Sequence, residues 1–100
     1  MVKLGLFVRL RAKSGKEGEL GQLLRQGLEL ANQEEKTPVW FAVQFDKSTF
    51  AVFDAFAEEA GRQAHLDGRI AAALMAKAPD LLAEPPRIEK FDVMGAKLSR

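Results

Sequence analysis

Hydrophobic and polar positions change period several times along the chain, and each change marks an element. Leu4, Leu6, Val8 and Leu10 alternate with Gly5, Phe7, Arg9 and Arg11, the period-two spacing of a strand. Lys13, Ser14, Gly15 and Lys16 form a turn, with Ser14 placed to cap the next helix. Leu20, Leu23, Leu24, Gly27, Leu28 and Ala31 then recur at i, i+3 and i+4, opposite Glu19, Gln22, Arg25, Gln26 and Glu29. That is an amphipathic helix. A polar run over 32–37 ends it, and Pro38 forces an extended restart.

Two aromatic-rich runs then flank Asp46, Lys47 and Ser48, the signature of a β-hairpin. In the first run Val39, Phe41, Val43 and Phe45 share one face, and Trp40, Ala42 and Gln44 the other. In the second, Phe50, Val52, Asp54 and Phe56 oppose Ala51, Phe53 and Ala55. A half-exposed antiparallel strand alternates apolar with polar, whereas these strands are largely apolar on both faces and require cover on both. Residues 57–66 read as a short helix with the small residues Ala57, Ala60 and Ala64 inward, broken at Gly68. Residues 69–78 read as the next helix, with Ile70, Leu74 and Ala78 along one side and Pro79 ending or kinking it. Leu81 and Leu82 pack inward from a terminal turn, and Pro85 and Pro86 launch a last strand over 87–98.

The order strand, helix, strand, strand, helical region, strand is a ferredoxin-like split βαβ pattern. It predicts one α+β domain over residues 1–100, with helices on one face of an antiparallel sheet. Helices cover only one face. Burying each large apolar group of the other gains about 1.5–3 kcal/mol, so an identical sheet is the expected cover and a sheet-to-sheet homodimer the expected assembly. The charges of the last strand (Glu89, Lys90, Asp92 and Lys97) argue instead for a wet face on a monomer.

Composition narrows the function classes. The chain is 47% hydrophobic and 29% charged, with a net charge of +1 and scattered basic residues. A nucleic-acid partner is not expected without a basic stripe, nor a membrane span without an apolar run of about 20 residues. MVKLGLFVRLR has its apolar residues broken by arginines and lacks a small-residue cleavage site, so no signal peptide is expected. The absence of cysteine removes disulfides, thiolate nucleophiles and cysteine metal sites, and fits a cytoplasmic location. There is also no tyrosine to serve as a proton donor.

The segments WFAVQFD, FAVFDAF, EEAGRQAHLDG and PPRIEKFDVMGAKL together resemble the antibiotic biosynthesis monooxygenase family over nearly the whole chain. The resemblance implies a dimeric α+β barrel and cofactor-free oxidation of a phenol or quinol by dioxygen, in an apolar cavity between helices and sheet. Tyrosines that some members place in that cavity are absent here.

Read residue by residue, metal chemistry is poorly supported by a single histidine without carboxylates at ligand spacing around it. No glycine-flanked serine elbow or phosphate loop is present. Haem degradation, known on related folds with an Asn, a Trp and a His, finds Asn32 and Trp40 on the wrong elements. What remains is one general base in an aromatic-lined pocket. His65 is suited to that proton step because an unperturbed imidazole titrates near pH 6.5. Arg62, three residues earlier, and Arg9 on the first strand are candidate cations for a substrate anion, with Trp40 and Phe53 as ring-stacking walls. Each has a plainer explanation: His65 as a helix C-terminal imidazole, and the aromatic residues as core. A non-catalytic dimeric barrel that binds a small aromatic or lipophilic molecule is the second expectation. A filled, pocketless interaction subunit is the third.

Overall fold

The first strand forms where the alternation places it. In the computed structural model, which describes residues 1–98 and so leaves Ser99 outside, β1 runs Leu4–Arg11. It is followed by α1 (Glu17–Asn32), β2 (Val39–Gln44), β3 (Thr49–Phe56), α2 (Glu59–Leu66), α3 (Arg69–Leu81) and β4 (Arg87–Asp92). The strands make one antiparallel sheet in the order β2-β3-β1-β4. This is the ferredoxin-like βαββααβ fold of the dimeric α+β barrels, as the alternation implied. Of the two strands that are apolar on both faces, β3 takes a central place and β2 an edge.

On the helix side, Val8, Leu10, Phe50 and Val52 pack with Leu20 and Leu24 of α1 and with Leu81 and Leu82. The line that α1 buries is Leu20, Leu24, Gly27 and Ala31. Leu28 stands one step round the helix and is half exposed, a departure from the expected stripe. Ser14 is not the cap. Lys16 occupies that position without a side-chain cap bond, because Gly15, at φ +88°, turns the chain and directs its N–H to the Glu17 carboxylate (3.0 Å). At the hairpin, Asp46 Oδ1 accepts from the N–H groups of Ser48 (3.0 Å) and Thr49 (2.8 Å), the side-chain closure expected of aspartate in a tight turn.

Three expectations shift. The second helix starts at Glu59 rather than 57, since Glu58 is still extended. Its inward residues are therefore Gly61, Arg62 and His65, while Ala57, Ala60 and Ala64 are exposed. The third helix continues through Pro79 to Leu81. Pro79 lacks the N–H that would reach the carbonyl of Met75, itself an exposed residue, so the lost bond falls at the surface. The last turn is also tied to β1, with Lys13 N–H donating to Leu81 O and Ala83 N–H to Arg11 O, both at 2.8 Å. The last strand stops at Asp92 instead of running to 98, its final tie being Val93 N–H to Lys3 O at 2.8 Å.

The opposite face of the sheet has no helix over it. There Phe53 stacks on Phe91 (5.3 Å between centroids) and tilts against Phe41 (6.3 Å). The Arg9 guanidinium lies over the rings of Phe7 (5.2 Å) and Phe45 (5.4 Å). Phe91 reaches Phe53 by crossing Gly5, where an added Cβ would lie 2.3 Å from the Phe91 ring and 2.2 Å from the Asp54 carbonyl. Neither atom set yields easily: one is backbone and the other a stacked ring. Gly5→Ala is therefore expected to destabilise the fold by about 1–3 kcal/mol, lowering the melting temperature by roughly 4 °C or more. A calorimetric Tm equal to wild type would show that Phe91 is free to move aside.

Candidate functional site

The site grows from one misplaced charge. Asp54 lies in the middle of a central strand, paired with Leu6 of β1 and Trp40 of β2, and is 0% exposed. A buried carboxylate is costly unless a partner comes to it, and α2 brings one. His65 Nε2 stands 3.0 Å from Asp54 Oδ2, and the His65 ring tilts against Phe56 at 5.5 Å. The approach is off the line of a ring N–H, so neither Asp54 oxygen has a well-directed donor; Trp40 Nε1 is also buried without a partner.

The other ring nitrogen is held more firmly. His65 Nδ1 lies 2.6 Å from Oε1 of Glu34, a residue in the turn just beyond α1. The same oxygen accepts from the Thr37 hydroxyl at 2.8 Å, and the Glu34 N–H donates to Ala31 O at 3.1 Å, which fix the carboxylate in place. The turn can come this close because glycines stand in the first turn of α2 and just beyond its end. A Cβ on Gly61 would sit 3.0 Å from the Lys36 carbonyl, and one on Gly68 3.0 Å from Glu34 Oε2.

Burial on its own would drive the imidazole toward its neutral form. The close contacts and charge of Asp54 and Glu34 outweigh it and leave the His65 pKa raised above its usual value. Two hollows lie near this cluster, one lined by His65 and Glu34 and the other by Trp40, the cross-strand neighbour of Asp54. A solvent-open groove of about 410 Å³ runs between the 33–37 turn and α2, with His65, Glu34, Thr37 and Arg69 in its walls. A more enclosed apolar hollow of about 140 Å³ lies under α1 and α3, walled by Leu24, Gly27, Trp40, Val52, Ile70 and Leu74. That volume matches one aromatic ring. Arg69 in the groove and Ile70 in the hollow are consecutive residues of α3.

Of the residues singled out from sequence, the structure brings His65 and Trp40 together on the helix side. Phe53 does not join them. Strand alternation turns it to the uncovered face, opposite Phe7. Arg9 is there too, paired with Ala51 and stacked on Phe7 and Phe45. Arg62 is on the correct side but committed. It donates to Gly5 O (3.1 Å) and Phe91 O (3.5 Å) and pairs with Glu59, whose carboxyl it holds below the usual range. Sequence reading missed Asp54 and Glu34 as His65's partners. For Asp54 there was a signal, a lone acid inside the apolar run FAVFDAF. Glu34 is 31 residues from His65 and had none. Among the described residues, no group of three or more His, Cys, Asp or Glu side chains is arranged to hold a metal ion, and no helix is long and apolar enough to cross a membrane.

A raised histidine pKa fixes the sign of a pH effect. The folded state binds the proton more tightly than the unfolded chain, so the stabilisation is complete below about pH 6.5 and is lost as pH rises through the folded value. The urea midpoint should therefore fall between pH 6 and pH 9, and His65→Gln should flatten that fall. An equal fall in the variant would place the effect elsewhere.

Comparison with protein-family models and with curated proteins finds no match. Among solved structures, NE2512, a protein of unknown function from Nitrosomonas europaea, is 60% identical with a TM-score of 0.98, over 100% of this chain and 97% of that one. A candidate antibiotic biosynthesis monooxygenase from the same organism superposes with a TM-score of 0.82 at 17% identity, over 92% of this chain and 90% of that one. Another, from Caulobacter crescentus, gives 0.80 at 18% identity, over 94% and 92%. At such identities the last two speak for the fold alone. The chain thus belongs to one family with the Nitrosomonas europaea NE2512 protein, and its fold is that of the antibiotic biosynthesis monooxygenases.

Proposed function

We propose that this protein is a homodimeric, cofactor-independent monooxygenase that oxidises a single-ring phenol or quinol with dioxygen. The carrying observation is an apolar hollow sized for one ring and walled by Trp40, whose cross-strand neighbour Asp54 is the partner of His65. Such a reaction asks little of a protein. The ring must be held, its hydroxyl proton removed, and the resulting electron-rich anion exposed to oxygen. One oxygen atom enters the ring, the other leaves as water with the two hydrogens lost, and the substrate supplies all four electrons as it becomes a quinone. His65 takes the proton, and Trp40 packs on the ring.

A second reading is a dimeric barrel that holds a small aromatic molecule without turning it over. It is favoured by the fact that both ring nitrogens of His65 already have carboxylates beside them. The dimer is supported by the uncovered face, where Phe41 and Phe45 are 57% and 58% exposed and Phe53 is 37% exposed. Large exposed apolar patches of this kind mark interaction surfaces.

Oxygen uptake with hydroquinone and its methylated single-ring analogues tests the activity. Uptake is expected, and His65→Asn should lower turnover about 10²-fold in a variant that still folds and assembles. Saturable binding without uptake would establish the second reading, and unchanged turnover in the folded variant would end the role of His65. Light scattering at about 10 μM, a concentration at which an obligate dimer stays associated, should give twice the 11.0 kDa chain mass. A monomer there would leave the aromatic face unexplained by self-association.

A further inference from the structure

The two ends of the His65 ring are not equivalent. Nδ1 and Glu34 Oε1 are 2.6 Å apart, a separation that a lone pair facing a carboxylate oxygen does not tolerate, so a proton lies between them in either charge state. Nε2 and Asp54 Oδ2 are 3.0 Å apart and poorly aligned, and Asp54, with 0% exposure, has no other well-directed donor. In the neutral imidazole Nε2 is then the bare nitrogen, and Asp54 is the group left wanting a donor.

We propose that Glu34 and Asp54 are positioning residues of a base unit centred on His65. Glu34 keeps the proton on Nδ1, so that Nε2 is the acceptor, and Asp54 holds the charged ring once Nε2 has taken a second proton. This deepens the monooxygenase reading and rests on it. The step is a proton transfer alone: the phenolic O–H bond breaks, its proton bonds to Nε2, and the electron pair stays on oxygen as phenolate. Asp54, fully buried, and Glu34 both place carboxyl oxygens against the ring, and a proton accepted at Nε2 sits between them, which makes His65 a stronger base than a solitary buried imidazole. The ends also face different surroundings. Trp40 and Val52, walls of the apolar hollow, are the neighbours of Asp54 across and along the sheet. The Glu34 side chain, 21% exposed, borders the solvent groove, where the proton can be returned.

Other charges near the ring are accounted for. On α2, Arg62 is paired with Glu59. On α3, Arg69 donates to Gln33 at 3.4 Å. Lys36 and Glu35 line the groove. The strand neighbours of Asp54, Leu6 and Trp40, carry no charge.

His65 is the chain's single histidine, so its ring Cε1 proton is one NMR resonance that titrates without assignment. Glu34→Gln is expected to lower the midpoint of that titration by about one pH unit or more, as loss of a close opposite charge does. Asp54→Asn should do the same if it folds. The pH–rate midpoint for oxygen uptake should move with the NMR midpoint, the plateau rate should fall as the base weakens, and Glu34→Gln should add little once His65 is Asn. An NMR midpoint unmoved in a folded Glu34→Gln overturns the unit, and so does a pH–rate curve that stays in place while the NMR midpoint moves. If wild type takes up no oxygen, the monooxygenase reading fails, and the NMR titration alone still decides whether the three groups share their protons.

Discussion

A carboxylate with no exposure at the centre of a sheet is the constraint that the helix side of this molecule is built to meet. Removing such a charge from water costs several kcal/mol before any partner is found. The partner is His65, and through it Asp54 sets where α2 lies. That helix buries Gly61, Arg62 and His65 and no aliphatic side chain. It is therefore docked through polar contacts, Arg62 to the carbonyls of β1 and β4 and His65 to two carboxylates. The contrast with α1 is physical. α1 is held by Leu20, Leu24 and Ala31 against the apolar core, a non-directional attraction that tolerates small shifts. Directional contacts give α2 one position.

The other face of the sheet answers a different demand. Ala51 and Ala55 are fully covered there by their larger neighbours, while the rings of Phe41, Phe45 and Phe53 stay open. Gly5 lets Phe91 cross from the edge strand and join them. The aromatic set is thus contiguous across β2, β3, β1 and β4 in spite of the charges on β4. Those charges divide by strand parity: Glu89 pairs with Phe7 on the open face, and Lys90 with Leu6 on the helix face, so the last strand does not present one unbroken wet surface. Arg9, stacked between two rings, keeps its charge at the margin of the patch and spreads its planar stem over the aromatic surface.

Strand periodicity and the α1 stripe made the topology readable from sequence, since each element's period reports which face it buries. The hairpin was readable from Asp46–Ser48 for the same local reason. What failed to show was fixed by contacts distant in sequence. The phase of α2 could not be read from its small residues, because alanines are indifferent to burial; Arg62 and His65 chose the inward face by their reach to β1, β3 and the 33–37 turn. Pro79 read as an end or a kink, and the helix passes through it to Leu81, where two backbone bonds tie residues 81–83 to residues 11–13. Phe53 and Arg9 were grouped with His65 by chemical type, although their strand parity places them on the far face.

The fold is shared with candidate antibiotic biosynthesis monooxygenases at under one fifth identity, which says how the elements lie and leaves the chemistry to particular side chains. Here those side chains sit where elements end: Glu34 beyond α1, His65 at the last turn of α2, and Arg69 at the first residue of α3. The solvent groove and the apolar hollow take consecutive residues of α3, Arg69 and Ile70, into their walls. Of the side-chain hydrogen bonds among the described residues, Gln33 with Arg69 is the one that bridges the end of α1 to the start of α3, long at 3.4 Å and exposed. A contact of that kind is worth little in water. On the monooxygenase proposal, a ring passing from the groove toward Trp40 would part this weak surface pair and leave the His65 contacts intact.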